Sequence, residues 1–247
     1  MNGKKLNQII ASILINSIYA MKNYPILLIN TLLAPLSILV IIVFISRGAL
    51  LGVGIEGALI MTMISAGIGL QGDLSHLKND FKLQDMVVSS PTSAFIYMFG
   101  MGISELVFSI PVILLLSILA VLFLHLLVIQ WIILIIILLV VFLFSISLGF
   151  FLSTLTTDVM QSWGFTGLIS TLLSTVPPVY YLITYIPKPF QYIAYLSPTT
   201  YAAEIVQSTT GYLKITQLNF LLDWIILIIV TLIIFFISIK KSKWRED

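Results

Sequence analysis

The chain has 247 residues, of which 60% are hydrophobic and only 9% are charged, and its mean hydropathy is +1.14. Soluble globular domains carry about 25% charged residues, so this composition excludes that class and indicates a chain built for a lipid bilayer. The net charge of +2 is too small for a nucleic-acid surface, and the lack of cysteine in the sequence excludes disulfides, thiol nucleophiles and thiolate metal sites.

An apolar stripe at helical spacing precedes the first long hydrophobic segment. The stripe consists of Leu6, Ile9, Ile10, Ile13, Leu14, Ile18 and Met21. It predicts an amphipathic helix over residues 5–22 that lies in the cytoplasmic membrane interface. An ordinary helix packed against the spans is the alternative. Tyr24 and Pro25 predict the end of this helix, because the residue before proline avoids the α region.

Six segments are long and apolar enough to cross a bilayer, because a spanning helix needs about 20 mainly apolar residues. They are residues 26–46, 50–70, 94–122, 126–155, 161–183 and 220–239. A short turn around His125 joins the third segment to the fourth. We therefore expect an all-α membrane protein with six transmembrane helices, in which residues 1–247 form one transmembrane domain.

The basic residues predict the orientation, because lysine and arginine near span ends are retained in the cytoplasm. Nine of the twelve fall on one side of the predicted bundle: Lys4, Lys5, Lys22, Lys78, Lys82, Lys240, Lys241, Lys243 and Arg245. The other three, Arg47, Lys188 and Lys214, fall on the opposite side. We therefore expect a multi-pass protein of the cell (plasma) membrane with both termini in the cytoplasm, residues 71–92 in a cytoplasmic loop and residues 184–219 outside.

The cytoplasmic loop contains a second amphipathic pattern. Leu74, Leu77 and Phe81 share one helical face. Charged residues surround that face: Asp73, Lys78, Asp80, Lys82 and Asp85. The spacing predicts a short helix over residues 74–86 that lies parallel to the membrane. The alternative is a solvated loop, since mixed charges are common on loops.

Glu105 is the acidic residue that falls well inside a predicted span, about a dozen residues from the cytoplasmic end of that span. An ionised carboxylate in that position costs about 2.5–3.5 kcal/mol on insertion scales. Two interpretations remain open: an acid that faces a pathway through the protein, or a neutral carboxyl that ties two helices together.

Residues 175–201 combine five prolines with six tyrosines in an apolar stretch. Prolines interrupt a spanning helix, and tyrosines favour the membrane interface. The pattern predicts a helix that ends near Pro177, then a short re-entrant or interfacial turn. A second short helix is expected to begin at Ser197-Pro198, with Ser as N-cap and Pro as its first residue.

Two reaction classes lack their sequence signatures. The sequence contains no G-x-x-x-x-G-K-[ST] loop for nucleotide phosphates and no H-E-x-x-H motif. We therefore expect that this chain is not an enzyme, does not hydrolyse ATP itself and binds no cofactor or metal.

Two motifs, in this order and with this topology, resemble the membrane permeases of type-2 ABC exporters. The first is Leu83-Gln-Asp-Met-Val-Val-Ser-Ser-Pro91 before the third span, and the second is Leu196-Ser-Pro-Thr-Thr-Tyr201 before the last. The first departs from the family pattern, because Lys82-Leu83-Gln84-Asp85 shifts the acidic residue by one place and lacks the usual Gly-Thr. The resemblance covers nearly the whole chain.

The resemblance implies a coupling helix that seats in a groove of a separate ATP-hydrolysing subunit. Its contact residues would be Leu74, Leu77, Lys78, Asp80, Phe81, Leu83, Gln84 and Asp85. The transporter would contain two ATP-binding subunits, which hold ATP and Mg, and two permeases, as a second copy or a paralogue. The cargo is not identified by the sequence, although an amphiphilic or lipid-like molecule suits spans that are mainly aliphatic.

The external prolines and tyrosines are candidates for the outer gate of that pathway. The candidate pathway residues are Glu105, Pro187, Tyr192, Tyr195, Pro198 and Tyr201. A static plug that shields helix ends is the alternative for the external segment. At the level of the whole chain, a stand-alone secondary transporter or channel and a non-transporting membrane scaffold or enzyme are the competing classes.

Overall fold

The computed structural model describes residue 10 and residues 13–79, 94–156 and 158–241. A π-helical segment, Leu14–Tyr19, runs into α1 (Ala20–Asn23). The longer helices that follow are α2 (Pro25–Ser46), α3 (Leu51–Asn79), α4 (Ala94–Leu124), α5 (Val128–Ser153) and α6 (Val159–Thr175). A 3-10 turn (Ile183–Tyr185), α7 (Lys188–Ala194), α8 (Pro198–Thr209) and α9 (Gln217–Lys241) complete the described chain.

Five of these helices, α2, α3, α4, α5 and α9, are long and apolar enough to cross a membrane. The predicted count of six is therefore not reached within the described residues. The segment predicted at residues 161–183 forms α6, which ends at Thr175 after 17 residues. Pro177 and Pro178 follow after Val176, and proline cannot continue a helix because it lacks the N–H and clashes with the preceding turn.

The second span is longer than the sequence pattern predicted. Helix α3 continues past residue 70 to Asn79, where a cytoplasmic loop was expected from residue 71. Gln71 and Leu74 are both buried, so packing against neighbouring helices extends α3 beyond its most apolar part. Of the predicted coupling residues, Leu74 belongs to this helix, whereas Asp80, Phe81, Leu83, Gln84 and Asp85 lie outside the described residues.

The connections at both ends of the long helices are tight. Arg47 and Gly48 adopt positive φ values of 51° and 85° between α2 and α3. His125 has a φ of 47°, and the turn predicted around it joins α4 to α5. Near the N-terminus, most of the predicted helix over residues 5–22 lies outside the described residues. Its described part packs against α4, because buried Ser17 donates a hydrogen bond to the Ser104 carbonyl oxygen at 2.5 Å.

Helix α3 occupies the centre of the bundle. In its most apolar stretch 89% of the residues are buried, against 11% in α2 and 17% in α9. It approaches α5 closely because both helices have glycine at the crossing. A Cβ atom on Gly67 would lie 2.3 Å from the Ser145 Cβ, and one on Gly149 would lie 2.5 Å from the Gly67 carbonyl oxygen. Small residues that permit such approach are typical of membrane helix interfaces.

Candidate functional site: buried acids at the two ends of the central helix

One end of the bundle is covered by the cap segment, which we define as residues 176–216. It contains the 3-10 turn, α7 and α8. Helix α8 begins at Pro198 after Ser197, as predicted from the Ser-Pro pair. The Ser197 hydroxyl pairs with the Thr199 hydroxyl at 2.7 Å and does not cap the backbone. We call this the cap end, and the opposite end, where α3 ends and α4 begins, the far end.

Side chains satisfy much of the irregular backbone in the cap segment. The Gln207 amide donates to the carbonyl oxygens of Pro178 (3.0 Å) and Tyr181 (3.2 Å). The Gln191 amide donates to those of Ile183 (3.2 Å) and Ile186 (2.8 Å). Non-helical backbone at membrane depth is tolerated only where such partners or water replace helical hydrogen bonds. The cap segment is therefore held by its own polar side chains.

The cap segment contacts the first turns of α3 directly. A Cβ atom on Gly57 would lie 2.4 Å from the Val179 carbonyl oxygen. Helix α8 is also tied to α5, because the Gln130 amide donates to the Thr209 carbonyl oxygen at 2.8 Å. These contacts hold the cap segment against two helices of the bundle.

Two carboxyl groups and two phenols form what we call the outer acidic cluster: Tyr195, Tyr201, Glu204 and Asp223. The Tyr195 hydroxyl donates to Glu204 Oε1 at 2.9 Å, and the Tyr201 hydroxyl donates to the Tyr195 carbonyl oxygen at 2.8 Å. The two rings are tilted, with centroids 5.8 Å apart. Asp223, in the second turn of α9, is 5% exposed, and its Oδ2 has no hydrogen-bond partner.

Burial and neighbouring acids shift the pKa values of the cluster, and no basic group is among the causes of those shifts. Burial raises the pKa of Glu204, and the hydrogen bond from Tyr195 partly opposes that shift. Burial together with the nearby Glu204 and Asp223 carboxyls raises the pKa of both phenols, Tyr195 and Tyr201. The ionisable groups of the cluster are therefore all acidic, and any charge that it carries is negative.

Glu56 lies on α3, near its cap end, and is 1% exposed. Neither of its carboxyl oxygens has a hydrogen-bond partner. Thr210 is close to the carboxyl group, but its hydroxyl proton is directed to the Val206 carbonyl oxygen at 3.0 Å. The cap end thus buries a third carboxyl group, between α3 and α8.

At the far end the acids are arranged differently. The side chains of Asp73 on α3 and Glu105 on α4 are hydrogen-bonded to each other. A Cβ atom on Gly69 would lie 3.9 Å from Glu105 Oε2, which places the carboxyl beside α3. Because an ionised carboxylate only accepts hydrogen bonds, such a pair needs a proton on one of its members. The two acids therefore link α3 to α4.

The candidate pathway residues separate into two locations. Tyr195 and Tyr201 lie together in the outer acidic cluster, and Pro198 is buried as the first residue of α8. Pro187 precedes α7 on the surface, and Tyr192 is 78% exposed. Glu105 does not join them, because it lies at the far end. Of the candidate coupling residues, Leu74 is buried in the bundle, and Leu77 and Lys78 occupy the last turn of α3.

The sequence predicted an acid between helices at Glu105 alone. The structure places four other acids between helices: Glu56, Asp73, Glu204 and Asp223. Two of them lie inside predicted spans, so the expectation of a single intramembrane acid was wrong. Two of these acids could have been predicted from the sequence, because each is an acidic residue within an apolar run: Gly-Ile-Glu56-Gly-Ala and Leu-Leu-Asp223-Trp. Within the described ranges, no group of three or more histidine and acidic side chains is placed to hold a metal ion.

The long apolar helices, with polar groups confined to helix contacts and a cap, define a multi-pass helical membrane protein. The family model of the ABC-2 type transporter matches residues 7–210. The chain therefore belongs to the ABC-2 type transporter family, as its motifs predicted, and is a transmembrane permease component. A search of curated proteins found no significant match.

Proposed function

We propose that the chain is the membrane-spanning permease subunit of an ATP-driven exporter, with ATP hydrolysed by a separate subunit. The observation that carries this proposal is the ABC-2 type transporter match over residues 7–210. The absence of a nucleotide-binding loop from the sequence supports it, because energy must then come from another chain. In this proposal the cap end faces outwards and the far end faces the cytoplasm, as the basic residues predict.

Native mass spectrometry of the gently solubilised protein tests this assembly. We expect a complex of two permeases and two ATP-binding subunits, since one measurement reports both partner and stoichiometry. Reconstituted vesicles should then show transport that needs ATP and both kinds of subunit. A permease that purifies without a nucleotide-binding chain and transports without ATP would overturn the proposal.

The docking element for the ATPase is proposed to lie in residues 74–86. Leu74 is buried inside the bundle, so the partner surface would begin beyond it, at Leu77 and Phe81. Apolar anchors usually contribute more to an interface than charges at its rim. We expect the double change Leu77→Asp and Phe81→Asp to release the ATPase while the permease still inserts. Leu155→Asp is the matched control, because Leu155 is 62% exposed in the α5–α6 connection. Retention of the ATPase by the double variant would exclude this docking element.

The cap segment is proposed to act as the outer gate, and cysteine labelling tests it on this cysteine-free chain. Tyr192→Cys should label from outside in every nucleotide state, because Tyr192 is 78% exposed. Tyr195→Cys and Tyr201→Cys should label at rates that change with nucleotide, since both tyrosines make hydrogen bonds inside the cap segment. Rates that do not depend on nucleotide at either position would favour a static plug.

A stand-alone secondary transporter is the second candidate. Four acids on the long helices favour it, because acids within membrane helices often belong to ion or proton paths: Glu56, Asp73, Glu105 and Asp223. The discriminating measurement is transport by the permease alone under a proton gradient. Uptake or release without the ATPase would support this candidate, and strict dependence on ATP would exclude it.

A further inference from the structure

The outer acidic cluster has unmet acceptors and no donor left to meet them. The Tyr195 proton is donated to Glu204 and the Tyr201 proton to the Tyr195 carbonyl oxygen. Carboxylates and the remaining phenol lone pairs can only accept. Asp223 Oδ2 is buried without a partner beside them. What would complete the cluster is a group that donates hydrogen bonds and carries positive charge.

None of the described basic side chains supplies that group. Lys188 and Lys214, the lysines of the cap segment, are exposed, and the groups that influence Glu204 and the two phenols are the cluster members themselves and their burial. A buried acid that is not paired within the chain is costly. The cluster is therefore a candidate for an external cation rather than an internal ion pair.

The surroundings indicate what kind of cation fits. The two tyrosine rings, 5.8 Å apart, can present their faces to a cation. Phe220, one turn before Asp223 on the same face of α9, is half-buried. This apolar surface is suited to an alkyl chain lying next to the carboxyl. Charge, hydrogen-bond acceptors and apolar surface thus occur side by side.

We propose that Tyr195, Tyr201, Glu204 and Asp223 bind the ammonium head of an amphiphilic amine, whose alkyl chain lies along α9. An alkylammonium has N–H donors for Asp223 and Glu204, whereas a quaternary ammonium has none. In the proposed exporter, this site would determine the chemical class of the cargo, and in that respect the inference rests on the proposed function. Its binding can be measured without ATP or an ATPase.

The test is isothermal titration of the permease in phosphatidylcholine nanodiscs, with empty nanodiscs subtracted. The probes are octylammonium, octyltrimethylammonium and octanol. We expect saturable binding of octylammonium, at least tenfold weaker binding of the quaternary analogue, and none of octanol. Equal binding of octylammonium and octanol, or no saturable binding of octylammonium, would overturn the proposal.

Variants assign the binding to the cluster. Asp223→Asn and Glu204→Gln should each weaken octylammonium binding at least tenfold while keeping the side-chain shape. Asp158→Asn is the matched control, because it removes one negative charge from an exposed position outside the cluster. Tyr201→Leu should weaken binding several-fold and provides an independent variant if Asp223→Asn does not fold. Unchanged binding in Glu204→Gln and Tyr201→Leu would exclude the site.

The two proposals can fail separately. ATP-driven transport by a complex whose permease does not bind octylammonium would overturn the cation site alone. Saturable, Asp223-dependent binding by a permease without any ATPase partner would keep the site and overturn the exporter assembly.

Discussion

Carboxyl groups lie between helices at both ends of α3, buried at the cap end and half-buried at the far end, and they differ in their hydrogen-bond partners. At the far end the side chains of Asp73 and Glu105 are hydrogen-bonded to each other and link α3 to α4. At the cap end Glu56 and Asp223 keep oxygens without partners. A buried acid that is satisfied by another residue of the chain stabilises one arrangement of helices, whereas an unsatisfied one is available to a ligand or a proton. The difference suggests a structural joint at the far end and a binding surface at the cap end.

Two glycines of α3, Gly57 at the cap end and Gly69 at the far end, differ in how closely they are packed, and this predicts the largest effect. Gly57→Ala at the cap end places a Cβ 2.4 Å from the Val179 carbonyl oxygen, so backbone must move. We expect a loss of about 1–3 kcal/mol in unfolding free energy, the usual cost of overpacking. Thermal unfolding of the purified permease in detergent measures it.

Gly69→Ala at the far end is the matched control. Its Cβ would lie 3.9 Å from Glu105 Oε2, an ordinary contact. Because alanine favours helix over glycine by roughly 0.5–1 kcal/mol, we expect equal or higher stability. Equal losses in the two variants would show that these two positions are packed alike.

The next effect concerns the acid pair of the far end. Glu105→Ala leaves half-buried Asp73 without its partner, and we expect a cost of about 1–3 kcal/mol, as for other groups between helices that lose a hydrogen bond. Glu105→Gln keeps the shape and most of the hydrogen bonding and should fold normally. Thermal unfolding of both variants checks the difference.

Transport by Glu105→Gln then separates the two interpretations of Glu105. Normal transport at all pH values identifies the carboxyl as a tie between α3 and α4. Impaired transport in a stably folded complex would place the ionisable group in the working path and contradict the structural assignment.

A smaller effect is expected at the Tyr195–Glu204 hydrogen bond of the cap end. Tyr195→Phe removes the hydroxyl and should lower the unfolding free energy by about 0.5–1.5 kcal/mol. A double-mutant cycle with Glu204→Leu isolates the pair, because the cost of Tyr195→Phe should largely disappear once the acceptor is gone. Purely additive losses would mean that the hydrogen bond does not contribute.

The smallest effect is a pH dependence at Glu204, which faces Tyr195, Tyr201 and Asp223. Burial raises its pKa above the ordinary value of 4.5. A raised pKa means that the carboxyl ionises less readily in the folded state than in the unfolded state. Its contribution to the stability of the fold is therefore complete below pH 4.5 and is lost as pH rises through the folded-state pKa. Glu204→Gln cannot ionise and should lose less stability over that range.

Melting temperatures of both proteins, measured from pH 4 upwards at about half-unit steps, check this prediction. We expect the melting temperature of the unmodified protein to fall with rising pH by more than that of Glu204→Gln. The melting temperature of Glu204→Gln minus that of the unmodified protein should therefore increase with pH. A difference that shrinks or reverses as pH rises would show that the folded environment favours the ionised carboxylate.

The sequence by itself determined where most helices lie, because hydropathy and proline act locally. The predicted segments at residues 26–46 and 94–122 correspond closely to α2 and α4, and Ser197-Pro198 marks the start of α8. The family could also be predicted, since its motifs are short and ordered along the chain.

Tertiary packing decided which helix lies at the centre and which acids come together. Helix α3 is the most buried although its mean hydropathy, 1.7, is the lowest of the five spanning helices, because its glycines admit close neighbours. Glu204 and Asp223 belong to different helices, and Asp73 meets Glu105 only where α3 crosses α4. Hydropathy reports the average preference of a segment for lipid, whereas the partner of each buried carboxyl depends on the rotation and contact of helices distant in sequence.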